Sequence, residues 1–124
     1  MFLSHGIHRM KLFIDDIRKC PEGWIVARTV TEAIRLLDLN IVDEVSLDHD
    51  ICHYNIHSFK TTSCPETFEP VARFIAKAYQ PYSLRVIIHT ANPDGGRKLL
   101  YILTDFRPEV IMYSEEFYEN QERS

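Results

Sequence analysis

No run of apolar residues in the 124-residue chain approaches the roughly 20 that a membrane-spanning helix needs, so a transmembrane segment is not expected. The opening "MFLSHGIHRM" has neither a long apolar core nor a small-residue cleavage pattern, which argues against a secretory signal. Paired cysteines are lacking too. Cys20, Cys52 and Cys64 are odd in number and have no close spacing, so they are expected to be free thiols in a reducing, cytoplasmic compartment. Positive charge is not in excess: a formal charge of -4 leaves no whole-protein footprint for duplex DNA, though a local basic pocket remains compatible with it. Internal repeats and a domain linker are absent as well.

What remains is ordinary globular material. Hydrophobic residues make up 45% and charged residues 26% of the chain. At this length a single core buries roughly two-thirds of the unfolded surface. Met10 opens the first convincing strand, so residues 1–9 are read as a loosely ordered leader and 10–124 as one domain.

Strand and helix patterns alternate along the chain. "MKLFIDD" (10–16) is a short apolar run ending on two acids, and "WIVAR" (24–28) is a second strand after the turn residues Pro21 and Gly23. A helix follows over 29–40, with Thr29 or Thr31 as cap and Ala33, Ile34, Leu36 and Leu37 as its apolar face. "DEVSLDHD" (43–50) is a strand, 51–65 an aperiodic polar loop, and 66–80 a helix that tolerates Pro70 only near its first turn. "SLRVIIHT" (83–90) has the continuous apolar centre of a strand covered on both faces. "ANPDGG" then reads as a loop, 97–106 as a helix and 108–114 as a last strand, followed by a polar tail.

That alternation predicts a three-layer α/β fold around an open, mostly parallel sheet. In such sheets ligands bind at the carboxyl ends of the strands. Asp15 and Asp16 end the first strand, Asp48, His49 and Asp50 the third, and His89, Thr90 and Asn92 the fourth. Each cluster alone is ordinary loop polarity. Their convergence on one sheet edge is what marks a site.

The stretches "LFIDDIR", "SLDHDI" and "IIHTANPDGGRK" resemble the cyclic-phosphate processing receiver domain family, a branch of the response-regulator receiver fold found in bacteria and their phages. The resemblance runs from about Met10 to Leu103 and implies a receiver-like, flavodoxin-like topology. Against ordinary receivers, Asp15 and Asp16 look like the acidic pair, Asp48 like the phosphate-accepting aspartate and Thr90 like the hydroxyl residue. The lysine that receivers carry after the fifth strand is missing from "VIMYSEE". The stretch after the first strand is also too short and too broken for a first helix, so that helix is expected to be reduced or missing. Both departures argue against phosphorelay signalling.

The implied reaction is phosphoesterase-like processing of a cyclic phosphate, an RNA end or a cyclic nucleotide, with a hydrolase's needs: a proton taken from water, a proton given to the leaving oxygen and positive charge on the phosphoryl oxygens. His49 and His89 are the candidate acid and base, with Asp48 and Asp50 as carboxylate partners. Arg18 and Arg97, or Lys98, supply positive charge. Thr90, Asn92 and the backbone of Gly95 and Gly96 complete a phosphate cradle. Crowded carboxylates call for a cation, which points to a divalent metal such as magnesium on Asp15, Asp16 and Asp48. The alternative from another class is a non-catalytic module that sequesters or senses a small phosphorylated ligand in the same pocket.

Other residues carry less. Cys52, His53, His57 and Cys64 are chemically suited to zinc, but their irregular spacing argues for a lid or insertion instead. Arg28 and Arg85 read as surface charges, Trp24 and the tyrosines as packing residues, with base stacking by Tyr54 or Tyr82 a weaker option. Oligomeric state has no signature in the sequence.

Overall fold

A computed structural model describes the backbone of residues 9–55 and 60–113, and their side chains outside 53–65. All but the last residue of the expected leader, together with His57 and the polar tail, lies outside the described residues.

Five strands form one parallel sheet: β1 (Met10–Ile14), β2 (Ile25–Ala27), β3 (Val42–Leu47), β6 (Arg85–Thr90) and β7 (Glu109–Met112), in the order β2-β1-β3-β6-β7. Three helices accompany them: α1 (Val30–Asp38), α2 (Glu69–Ala78) and α3 (Pro93–Ile102). This is the receiver-like α/β fold with its first helix missing, because residues 15–24 pass from β1 to β2 without a helix. Gly23 turns there at φ +87, a conformation that L side chains rarely adopt.

Strand alternation decides the two faces of the sheet. Leu12, Ile14, Val45, Leu47, Val86 and Ile88 all point into one core with Ala33 and Leu37 of α1, Val71, Ala72 and Ile75 of α2, and Leu99 of α3. The intervening residues Phe13, Ser46 and Ile87 lie side by side across β1, β3 and β6 and belong to the other face. At its amino-terminal end that face carries a charge ladder: Arg85 bonds Glu44 at 2.8 Å and Glu109 at 2.9 Å, so Arg85 is the surface charge its sequence context suggests.

Helix starts follow local chemistry. Thr29 caps α1, its hydroxyl accepting from the Glu32 N–H at 3.1 Å. Pro70 sits in the first turn of α2, where its missing N–H has no partner to lose. α3 begins at Pro93, four residues before the helix expected from Arg97, because Asn92 caps it and Pro93 fits its first turn, so "PDGG" is helix rather than loop.

Three further expectations are corrected. Residues 51–65 do not form an aperiodic loop: β4 (Asp50–Asn55) and β5 (Lys60–Thr67) pair as an antiparallel hairpin. Backbone pairing across the hairpin supplies the order that side-chain periodicity lacks, and its register is irregular around Cys52. Cys52 is disulfide-bonded rather than a free thiol, while Cys20 is free. The hairpin register pairs Ile51 with residue 66 and residue 53 with residue 63, so Cys52 sits in the irregular step between those pairs. A cysteine so bonded offers no thiolate to zinc. Finally, Arg28 is no mere surface charge, because its guanidinium donates to the carbonyls of Asp15 (3.2 Å) and Arg18 (2.6 Å) and ties down the loop that replaces the first helix.

Candidate functional site

In this strand order the chain leaves β1 toward β2 and returns to build outward from β3, so the carboxyl ends of β1 and β3 flank the point where the winding reverses. Open α/β sheets bind ligands there. Asp15 follows β1 and Asp48 follows β3, and the sheet side of both is closed by His89 near the end of β6. All three are buried, with relative exposures of 0%, 4% and 0%.

Arg18, 4% exposed, lies between the acids. Its Nη1 is 3.1 Å from Asp15 Oδ2 and 3.2 Å from Asp48 Oδ2, and its guanidinium lies 4.6 Å from the centre of the Tyr113 ring. Asp15 is fully used as an acceptor: Oδ1 takes the N–H groups of Ile17 (2.9 Å) and Arg18 (2.8 Å), and Oδ2 takes Arg18 and His89 Nε2 (2.8 Å). Four accepted bonds leave that carboxylate no place for a proton.

The neighbouring groups titrate apart as a result. Burial acts to raise Asp15, but the hydrogen bond and charge of His89 and the two backbone donors hold it well below the usual carboxylate range. Burial and the charge of Asp15 push Asp48 well above that range, with Arg18 offsetting only part. Burial pushes Asp16 up to about 6 against the hydrogen bond its Oδ2 accepts from the Cys52 N–H at 2.8 Å. His89 is lowered by burial, opposed by Asp15. A neutral ring donating from Nε2 to Asp15 and accepting from the Ser46 hydroxyl at Nδ1 (2.7 Å) satisfies every partner. Phe13 stacks on it at 4.6 Å with 2° between the planes.

His49 answers to a different set of groups. Its Nδ1 is 2.6 Å from Asp50 Oδ1 and its Nε2 2.7 Å from Glu69 Oε2. Two carboxylates on two ring nitrogens require two N–H donors, the imidazolium form. The hydrogen bonds that His49 donates to Asp50 and Glu69 accordingly raise His49, against its burial, while the same contact with His49 lowers both acids. Asn92 joins the latch, donating Nδ2 to both oxygens of Asp50 at 3.2 Å while its Oδ1 caps α3 by accepting from the Gly95 N–H. The latch thus pins α2 and α3 to the turn between β3 and β4.

Its pH dependence follows from the direction of the shifts. Because folding raises the imidazole, the stabilisation is complete below its ordinary value of 6.5 and is lost as pH rises through the raised folded value. Because folding lowers Asp50 and Glu69, it is lost again in acid as those carboxylates protonate. Urea unfolding of wild type and His49→Gln should show the largest gap between about pH 5 and 6.5 and a narrowing gap above it. A gap that widens with rising pH would contradict a charged latch.

The sequence from 10 to 105 matches the model of the family described as the Cyclic-phosphate processing Receiver domain. The chain belongs to that family. No curated protein and no solved structure matches it. Membership in the cyclic-phosphate processing receivers agrees with the receiver-like α/β sheet and suggests a phosphate-related ligand. Among the described residues no helix is long and apolar enough to cross a membrane.

By spacing, the metal-capable group among the described residues is Asp15, Asp48 and His89, whose ligand atoms lie within 4.8 Å of one another. His89 takes the place expected for Asp16. The fit is poor for magnesium, which prefers oxygen ligands and keeps waters. Arg18 Nη1 already bonds the same two oxygens, and His89 Nε2 holds a proton toward Asp15. Asp15, Asp48 and His89 could hold a metal ion, but the Arg18 guanidinium already supplies a counter-charge to the two acids.

The structure gathers Asp15, Arg18, Asp48 and His89 into one cluster, with Asp16 half-buried beside it. His49, Asp50, Asn92 and Gly95 form the latch. Thr90 accepts from the Asn92 N–H at 3.1 Å, and Gly96 packs at the Thr90 methyl, so both serve the β6–α3 junction. Arg97 is not brought to the edge: it pairs with Asp94 on the exposed side of α3. Tyr82 is 89% exposed on a short 3-10 turn (Pro81–Ser83), and the side chain of Tyr54 lies outside the described residues. Sequence reading missed Ser46, Glu69 and Tyr113. Ser46 had a signal, a hydroxyl in the middle of an otherwise apolar central strand; Glu69 and Tyr113 reach their partners only through the fold.

Proposed function

We propose that the chain binds and hydrolyses a cyclic phosphodiester, an RNA end or a cyclic nucleotide, over the Asp15–Arg18–Asp48 cluster. The observation that carries this reading is a buried guanidinium shared by two carboxylates at the reversal point of the sheet, in a family named for cyclic-phosphate processing. A phosphoryl oxygen takes over the Arg18 contact that Asp48 now holds, since guanidinium matches phosphate as it matches carboxylate.

Both imidazoles are committed, His49 to the latch and His89 between Ser46 and Asp15. Proton transfer therefore falls to the two carboxyl groups whose environments raise them. Asp16 takes a proton from water as the water oxygen bonds to phosphorus. The bond from phosphorus to the ring oxygen breaks, and Asp48 gives that oxygen its proton. A phosphate monoester results, with Asp16 protonated and Asp48 ionised until solvent exchanges the proton between them. Arg18 balances the charge on the phosphoryl oxygens throughout.

A non-catalytic phosphate binder using the same pocket is favoured by one observation, the engagement of both imidazoles. Incubation with cyclic-phosphate RNA ends and cyclic nucleotides, with product analysis beside calorimetry, separates the two. Monoester formed in proportion to enzyme supports hydrolysis, saturable heat without product supports the binder, and neither, with the fold intact, overturns both.

A further inference from the structure

Arg97 and Lys98, expected at the sheet edge, line instead a groove of about 650 Å³ between α2 and α3. Glu69 and Arg73 line it from α2, and Asp94, Tyr101 and Ile102 line it beside Arg97 and Lys98 on α3.

The charges in the groove are poorly spent. Arg73 pairs with Glu69 at 3.1 Å and Arg97 pairs with Asp94, but the arginine side chains remain 61% and 70% exposed, and pairs so exposed hold weakly. Lys98 makes no ion pair among the described residues. Glu69 also gives its other oxygen to His49, which leaves the groove cationic in a chain whose net charge is -4. Beside this charge the Tyr101 ring stands 84% exposed, a large planar surface next to an aliphatic wall. Cations next to an uncovered aromatic ring suit a ligand with an anionic end and a flat body.

We propose that this groove is a second ligand site, separate from the Arg18 cluster, for a nucleotide: its phosphates on Arg73, Arg97 and Lys98, its base on Tyr101 and Ile102. The site communicates with the latch, because Glu69 Oε1 bonds Arg73 and Oε2 bonds His49. A phosphate that draws Arg73 away strengthens the hold of Glu69 on the imidazolium.

The test is a titration of the isotope-labelled full chain with ADP, followed by amide and imidazole resonances, with inorganic phosphate as the comparison. Saturable shifts at Arg73, Arg97, Lys98 and Tyr101, a response at the His49 ring, and at least tenfold weaker binding by the Arg97→Ala/Lys98→Ala double variant are expected. These residues are exposed, so the variant keeps its fold, which its unperturbed spectrum elsewhere verifies. No saturable shift on α2 and α3, ADP binding no tighter than phosphate, or unchanged affinity in the double variant overturns the proposal. The readout lies on α2 and α3, so a failure of cyclic-phosphate hydrolysis at Arg18 leaves it unaffected.

Discussion

Arg18→Ala should destabilise the fold by about 3–5 kcal/mol, the range seen when one partner of a buried ion pair is removed. Arg18 is 4% exposed and bonds two carboxyl groups, so its loss leaves the buried charge of Asp15 without its cation and Asp48 without a donor. For a domain whose whole stability is about 5–15 kcal/mol, that is a large fraction. Lost packing on Tyr113 adds to the effect, so Arg18→Met, which keeps most of the stem, separates packing from charge. Urea denaturation of both variants should show a deficit that shrinks in acid, because protonating Asp15 removes the uncompensated buried charge. A deficit independent of pH and equal to that of a surface arginine such as Arg85 would mean that the guanidinium is not the counter-charge.

The second large effect is expected at Gly95, where two rules give opposite signs. Helix preference alone favours alanine over glycine by about 1 kcal/mol in a helix interior. A methyl group at Gly95, however, would lie within 3.0 Å of three atoms of His49, whose ring is held from both sides by Asp50 and Glu69 and cannot swing away. Overpacking of this kind costs about 1–3 kcal/mol. Gly95→Ala should therefore be destabilising and should shift the His49 ring protons, while Gly96→Ala, whose added carbon meets the Thr90 methyl at 3.2 Å, should cost less. Equal thermal stability of Gly95→Ala and wild type would show that the latch gives way freely.

The strand-end acids were legible because they belong to short local patterns. An apolar run ending on Asp15 and another ending on Asp48 predict a shared edge as soon as the sheet is parallel. The partners were not legible. Glu69 reaches His49 across 20 residues, and Ser46 reaches His89 across 43, so neither pairing has a local pattern to betray it. The local context of His49, a candidate proton carrier by sequence, shows Asp50 but not the second carboxylate, Glu69. Receivers place a lysine after the last strand, and "VIMYSEE" lacks it. The fold answers with Arg18 from the β1 loop, seated over Tyr113 directly after β7. The pairing of β4 with β5 escaped because register, rather than hydrophobic alternation, holds the two strands together.

The central claim is that cyclic phosphate is handled at the Asp15–Arg18–Asp48 cluster, and the most direct measurement is where such a ligand binds. Titration of the labelled chain with a 2′,3′-cyclic nucleotide should move the amides of residues 15–18 and 48–50 and the Arg18 side-chain resonances together, with one dissociation constant. Shifts confined to α2 and α3, or none at all in a folded protein, would contradict the account.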